Sequence, residues 1–262
     1  MRNRLAFLMV IAGLGSASPA LAADLAPLAP YYKAPVAVAA PAPSWTGFYI
    51  GGGGGVGWGS EDPVDINQYA GAEGAAIPAG HNWRYGMGTT FIGGGTVGYD
   101  HQFGMFVAGI EGDFGYLHQT GSGADPLSPG MDVVSSATLG DWYAIIAGRA
   151  GVAYNRALFY GKVGAGWTPM KATITDSCVA APCGPLTIMA SGSAPDNATL
   201  VFGGGIEYLL SQNWSVKLEY LNWSLGTHFL VTGVASNGNT YSWDHSFSPL
   251  QTVMFGVNYR LY

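Results

Sequence analysis

Only 10% of the 262 residues are charged and 48% are hydrophobic, against about 25% charged in soluble domains, so a water-facing surface would be hard to cover. The formal net charge is −6, and −8 once Arg2 and Arg4 of the leader are removed, which argues against nucleic acid as a partner. Glycine (41 residues) and tyrosine (15) are abundant, yet after the leader no apolar run approaches the ~20 residues of a membrane helix. A membrane-like chain without such helices points to strands.

Residues 1–22 read as a secretory signal peptide. Arg2 and Arg4 give the positive start, Leu5–Leu14 the short apolar core, and Ala20-Leu21-Ala22 the small-x-small cleavage site. Residues 23–44 hold Pro27, Pro30, Pro35, Pro41 and Pro43. Such a segment is extended and builds no core, so it reads as a periplasmic spacer.

From residue 45 to 262 the pattern is that of an all-β, eight-stranded antiparallel transmembrane barrel. Alternating segments of bilayer-crossing length run over Thr46–Trp58, Thr90–His101, Met105–Leu117, Leu139–Tyr154, Ala157–Thr168, Thr199–Leu210, Trp214–Leu225 and Leu250–Tyr262. Tight turns at His101–Gly104, around Asn155 and at Ser211–Asn213 alternate with long connections at Ser60–Thr89, His118–Thr138, Met170–Ala198 and Gly226–Pro249. Short periplasmic turns and four long extracellular loops are the outer-membrane arrangement. Closing the last strand onto the first would leave no free edge.

Charge placement tests this layout. With the apolar faces outward, Glu111, Asp113, Asp141, Arg149, Lys162, Glu207, Lys217, Glu219 and Arg260 all point inward. A lipid-facing Arg or Lys at midplane costs about 2–4 kcal/mol, so the segregation has a cause. Trp58, Trp142, Tyr154, Trp167, Tyr208 and Trp214 fall at the ends of the apolar stripes, where aromatic belts form. An eight-stranded barrel is just wide enough to be filled by side chains. The inward charges therefore predict a salt-bridge plug, with a narrow charge-lined conduit as the alternative. Gly51, Gly53, Gly55 and Gly57, also inward, would either make room for Arg149 and Tyr143 or leave water.

The opening Trp45-Thr46-Gly47-Phe48-Tyr49-Ile50-Gly51-Gly52 resembles that of the small outer-membrane proteins of alpha-proteobacteria. So do the spacer motif Tyr31-Tyr32-Lys33-Ala34-Pro35 and the ending Phe255-Gly256-Val257-Asn258-Tyr259-Arg260. These porin-like proteins are often called outer-membrane immunogenic or opacity-like surface proteins. The resemblance covers signal, spacer and strands but not the loops. It implies an eight-stranded barrel in the cell outer membrane, roles in envelope integrity and surface contact, and in some members haem binding. Members usually end on an aromatic that the barrel-assembly machinery reads. Here Leu261 holds that slot and Tyr262 follows.

Other chemistry is sparse. Cys178 and Cys183 form Cys-x4-Cys in a long loop of an exported chain, which predicts a disulfide. No metal site is expected, since no histidine lies nearby in sequence. His118, His228 and His245, with His81 and His101, are polar loop residues in one reading and a surface haem-ligating set in the other. His245 and Ser246 are adjacent, so a strand would point them to opposite faces, and no catalytic dyad or triad assembles. The expectation is a non-enzymatic, cofactor-free, monomeric barrel. It supports the envelope and displays loops, in contact with outer-membrane lipid and lipopolysaccharide and with the assembly machinery. A small-solute pore and a surface haem binder are the alternatives.

Overall fold

A computed structural model describes residues 44–70, 76–128, 133–178, 186–236 and 238–261. The expected signal peptide and all of the spacer but Ser44 lie outside the described residues. Fifteen strands follow in chain order among those described: β1 Gly47–Asp65, β2 Tyr69–Ala70, β3 Ala76–Ile77, β4 Tyr85–Phe103, β5 Phe106–Ala124, β6 Val133–Gly140, β7 Tyr143–Tyr154, β8 Ala157–Trp167, β9 Met170–Cys178, β10 Leu186–Ser193, β11 Thr199–Leu209, β12 Trp214–Ser224, β13 His228–Val234, β14 Thr240–Phe247 and β15 Leu250–Leu261. Among them no helix is long and apolar enough to cross a membrane.

Eight of the strands close a ring. β1 pairs β4, β4 pairs β5, and the order continues through β7, β8, β11, β12 and β15. β15 then returns to β1, with Phe48 opposite Leu261 and Trp58 opposite Gln251. All pairings are antiparallel, so every backbone group within the ring has a neighbour and no edge is left. The eight-stranded antiparallel barrel read from the sequence is thus the observed fold. Three short turns join strands at one end: Gly104–Met105, Asn155–Arg156 and Leu210–Asn213.

Outside the ring stand apolar side chains, among them Phe48, Ile50, Phe91, Ile110, Phe114, Ile146, Phe159, Leu218 and Phe255, all exposed. Exposed Tyr154, Tyr208 and Trp214 edge this belt at the short-turn end; Trp58, Tyr116 and Trp142 edge it at the far end. That is the surface a bilayer requires.

The far end departs from the sequence reading. The four long connections are largely strands, stacked as a second tier above the barrel. β5 runs on past the belt, and its residues His118–Ala124 pair with β6; β6 pairs β9, and β9 pairs β10. On the other side Glu61–Asp65 of β1 pair with β14, and β14 pairs β13. In this tier the polarity inverts. Val133, Leu139, Met170, Ile174, Phe229, Val231, Trp243 and Phe247 point inward and are buried, in one cluster with Leu117, Tyr143, Ile145, Leu221 and Trp223 from the barrel below.

One strand shows how the inversion is managed. In β4, Tyr85 and Met87 are buried at odd positions, whereas Ile92 is buried at an even one. The phase changes across Gly88, whose φ is +73°, beside the register shift between Trp58 and Ser60 of β1. Only glycine takes that φ without strain, so a bulge here swaps the strand's faces.

Candidate functional site

The barrel interior is filled in three layers. At the short-turn end Trp45, Val107, Leu158 and Leu209 form an apolar cap. Trp45 is fully buried; its backbone N–H donates to Gln102 Oε1 at 2.9 Å. The far half is the apolar cluster that continues into the tier. Between them lies the ionic layer.

Arg149 is its hub. Nε donates to Asp100 Oδ1 at 2.8 Å and Nη2 bonds the second Asp100 oxygen. Nη1 reaches Glu207 Oε2 at 2.9 Å and Glu111 Oε2 at 3.3 Å. The guanidinium also lies over the rings of Tyr49 and Tyr160, 4.7 and 5.0 Å from their centroids. A planar fork with five donors suits this convergence of carboxylates and aromatic faces better than an ammonium would. Arg260 meets the same acids from below, at 3.1 Å from Asp100 and 3.2 Å from Glu207. It donates to the Trp45 carbonyl at 2.8 Å and stacks 4.5 Å from the Trp45 ring.

Lys162 forms the second node. Its Nζ lies 2.5 Å from Glu111, 2.7 Å from Asp113 and 3.3 Å from Glu219. Lys217 adds a contact to Glu111 at 3.1 Å. The spare carboxylate lone pairs are filled by hydroxyls and an amide. Tyr49 donates to Glu111 at 2.6 Å, Tyr160 to Glu219 at 2.8 Å, Ser215 to Glu207 at 2.6 Å, and Asn258 to Glu207 at 3.0 Å. Thr96 bonds Asp113. Burying charge is costly unless each ion is paired and hydrogen-bonded, and this layer meets that demand for every carboxylate.

What space remains is small. A partly open pocket of about 20 Å³ sits beside Asp113, Lys217 and Glu219, enough for about one water. Glycines set how closely the layer packs, though not those expected. A Cβ on Gly98 would collide with the Tyr49 ring, so a bare backbone at 98 is what lets that phenol reach Glu111. Gly51, Gly53 and Gly55 instead face Asn258 and the β15 backbone, not Arg149.

Eight of the nine inward charges read from the sequence meet in this layer. Asp141 does not. The chain turns sharply where β6 gives way to β7, with φ of +109° at Gly140 and +86° at Asp141, so strand alternation cannot be carried back through residue 141. Its side chain is 60% exposed and pairs with His118 at 2.8 Å on the rim. Conversely, Asp100 was not among the inward charges read from the sequence, yet it is fully buried and binds both arginines. Continuing the inward parity of β4 past Tyr99 would have found it. Trp45, before the first strand, carried no such signal.

The histidines are scattered. His118 sits on the rim with Asp141. His228 is exposed and pairs with Asp244 at 2.8 Å. His245 lies inside the tier, fully buried, 2.7 Å from Glu61. His228 is opposite Ser246, next to His245 in the strand, so the two imidazoles face opposite sides of the sheet. His81 bonds Asp125, and His101 packs on Phe103. The haem-ligating set therefore does not converge, and among the described residues no three His, Cys, Asp or Glu gather as metal ligands. Glu61 and His245 belong to a buried polar cluster the sequence did not reveal. Ser135 bonds Glu61 at 3.4 Å and Tyr85 at 3.0 Å. Burial first, and the Glu61 charge second, push the Tyr85 phenol well above its ordinary range. The expected Cys178–Cys183 bridge lies outside the described residues, since Cys183 is not among them.

Comparison with known proteins places this geometry. The model of the outer membrane protein beta-barrel domain matches residues 29–260. The 31 kDa outer-membrane immunogenic protein of Brucella melitensis is 29% identical over 259 residues, covering 93% of this chain and 94% of its own. The 22 kDa outer membrane protein of Rhizobium leguminosarum bv. viciae is 28% identical over 180 residues, 69% of this chain and 64% of its own. Among solved structures, the outer membrane protein OprG from Pseudomonas aeruginosa aligns with a TM-score of 0.44 and 12% identity, over 84% of this chain and 98% of that one.

Proposed function

The chain belongs to the outer membrane protein β-barrel family and resides in the outer membrane, and from that premise we propose that it is a sealed structural anchor that holds a folded tier at the cell surface. One observation carries this reading: side chains fill the lumen in three successive layers, and the pocket beside Asp113, Lys217 and Glu219 is only about 20 Å³. A conduit needs a continuous wet path, and here an apolar cap, a layer of buried ion pairs and an apolar core lie in series. The protein acts without catalysis, as a monomer, through contact. Its belt engages lipid and lipopolysaccharide, and the alternating Phe255, Val257, Tyr259 and Leu261 of β15 present the face read by the assembly machinery.

Planar-bilayer recording of the pure protein tests the reading. The expected result is no conductance above background, in a sample whose unboiled form migrates differently from the boiled one on a gel. Discrete, reproducible channels would overturn it.

A further inference from the structure

Around the second tier the ladders among the described residues are interrupted twice: none is formed between β4 and β5 beyond Ile92–Leu117, and none joins β10 to β13. The hydrogen-bonded order ends at β10 on one side and β13 on the other, and among the described residues no ladder joins them. The two strands meet through side chains instead. Gly233 packs on Ile188 and Ala190, and Gly192 on Val231. Each strand thus has one outer edge of backbone N–H and C=O groups without a ladder partner.

Exposed edges normally carry lysine, proline or a bulge that keeps other strands away. β10 reads Leu-Thr-Ile-Met-Ala-Ser-Gly-Ser and β13 reads His-Phe-Leu-Val-Thr-Gly-Val, with no lysine, no proline and no charged carboxylate. Among outward Thr187, Ser191, Ser193, His228 and Thr232 stand three apolar side chains: Met189 is 78% exposed, Leu230 60% and Val234 65%. These lie in the tier, beyond the aromatic belt, where bilayer hydrocarbon does not explain them.

From these observations we infer that the β10–β13 seam is a docking edge for an extended, basic segment of another protein, added as a further strand. The backbone edge supplies the pairing, and Met189, Leu230 and Val234 grip apolar side chains at alternate positions of the incoming strand. Charge selects the partner. Among the described residues the tier's only cations are Arg84 and Lys171, against Asp62, Asp141, Asp176, Asp196 and Asp244, besides the buried acids. Asp244 lies directly opposite Leu230 on the same outer face. A second copy would bring the same acidic tier and be repelled; a cationic strand is attracted.

This inference rests on the reading of the tier as a displayed surface, and its test is separable from that one. The protein is placed in zwitterionic lipid nanodiscs, and a fluorescent octapeptide of alternating valine and lysine is titrated in, with empty nanodiscs as the blank. Saturable binding is expected. It should weaken at least tenfold when alternate peptide amides are N-methylated, when glutamate replaces lysine, and in a Leu230→Lys/Val234→Lys variant, whose exposed substitutions leave the tier core intact. Three results would overturn the proposal: no saturable binding, equal binding of the N-methylated peptide, or binding unchanged in the variant. Cross-linked dimers that vanish in the variant would likewise reassign the edge to a second copy. A sample that shows any of these while still shifting on an unboiled gel and passing no current leaves the sealed-anchor reading in place.

Discussion

The barrel and the tier above it use the same strands with opposite chemistry. Along β5, Ile110 and Phe114 face outward in the belt while Glu111 and Asp113 face the axis; farther up, Leu117 is buried and Ser122 is exposed. The crossing point is the aromatic rim. Below it the solvent is hydrocarbon, so ions must hide and pair; above it the solvent is water, so the oily side turns in. One fold thereby reads two solvents, and each half should fail by its own rules.

The largest break is expected in the ionic layer. Arg149→Ala would strand Asp100, Glu207 and Glu111 in a buried site, costing about 3–5 kcal/mol. Urea titration in detergent, followed by the unboiled gel shift, would report it. A loss under 1 kcal/mol would mean that water already enters the layer. In the tier the corresponding lesion is apolar. Trp243→Ala removes a fully buried ring and should cost about 3–5 kcal/mol, but of the tier alone. Limited proteolysis should then cut within β13 and β14 while the gel shift persists; a lost gel shift would show that the two halves fold as one unit.

A finer contrast uses one strand and one substitution. Ile110→Arg sets a cation on the hydrocarbon face and should cost about 2–4 kcal/mol. Ser122→Arg, twelve residues on, should change stability by no more than about 0.5 kcal/mol. Equal effects would mean that the rim has been placed wrongly. Least of all, His118→Ala removes an exposed pair with Asp141 and should move stability by about 0–1 kcal/mol.

The comparison also explains what could be read in advance. In the belt the period of two is written in large apolar residues, so eight strands, their three turns and eight buried charges were legible. Above the rim the apolar side is the inner one and is often small, as with Ala137, Ala172 and Ala190. Apart from Met189, Leu230 and Val234 the outer side is largely Ser and Thr, which reads as loop. Pairings such as Glu61 with His245 span 184 positions and leave no local trace. Asp141 was misplaced because alternation was carried through two residues with positive φ; Asp100, at the end of the second strand beside a turn, was left out of the inward set although the strand's parity turns it inward.

Phe48 standing opposite Leu261 has a temporal meaning. The junction that completes the ring joins β1 to β15, so the cylinder cannot close until both strands are in place. Until β15 docks, β1 and β12 each offer a bare flank that hydrocarbon cannot hydrate. Arg260 and Trp45 come together only at that same moment, which makes the stopper at the short-turn mouth a record that closure has occurred.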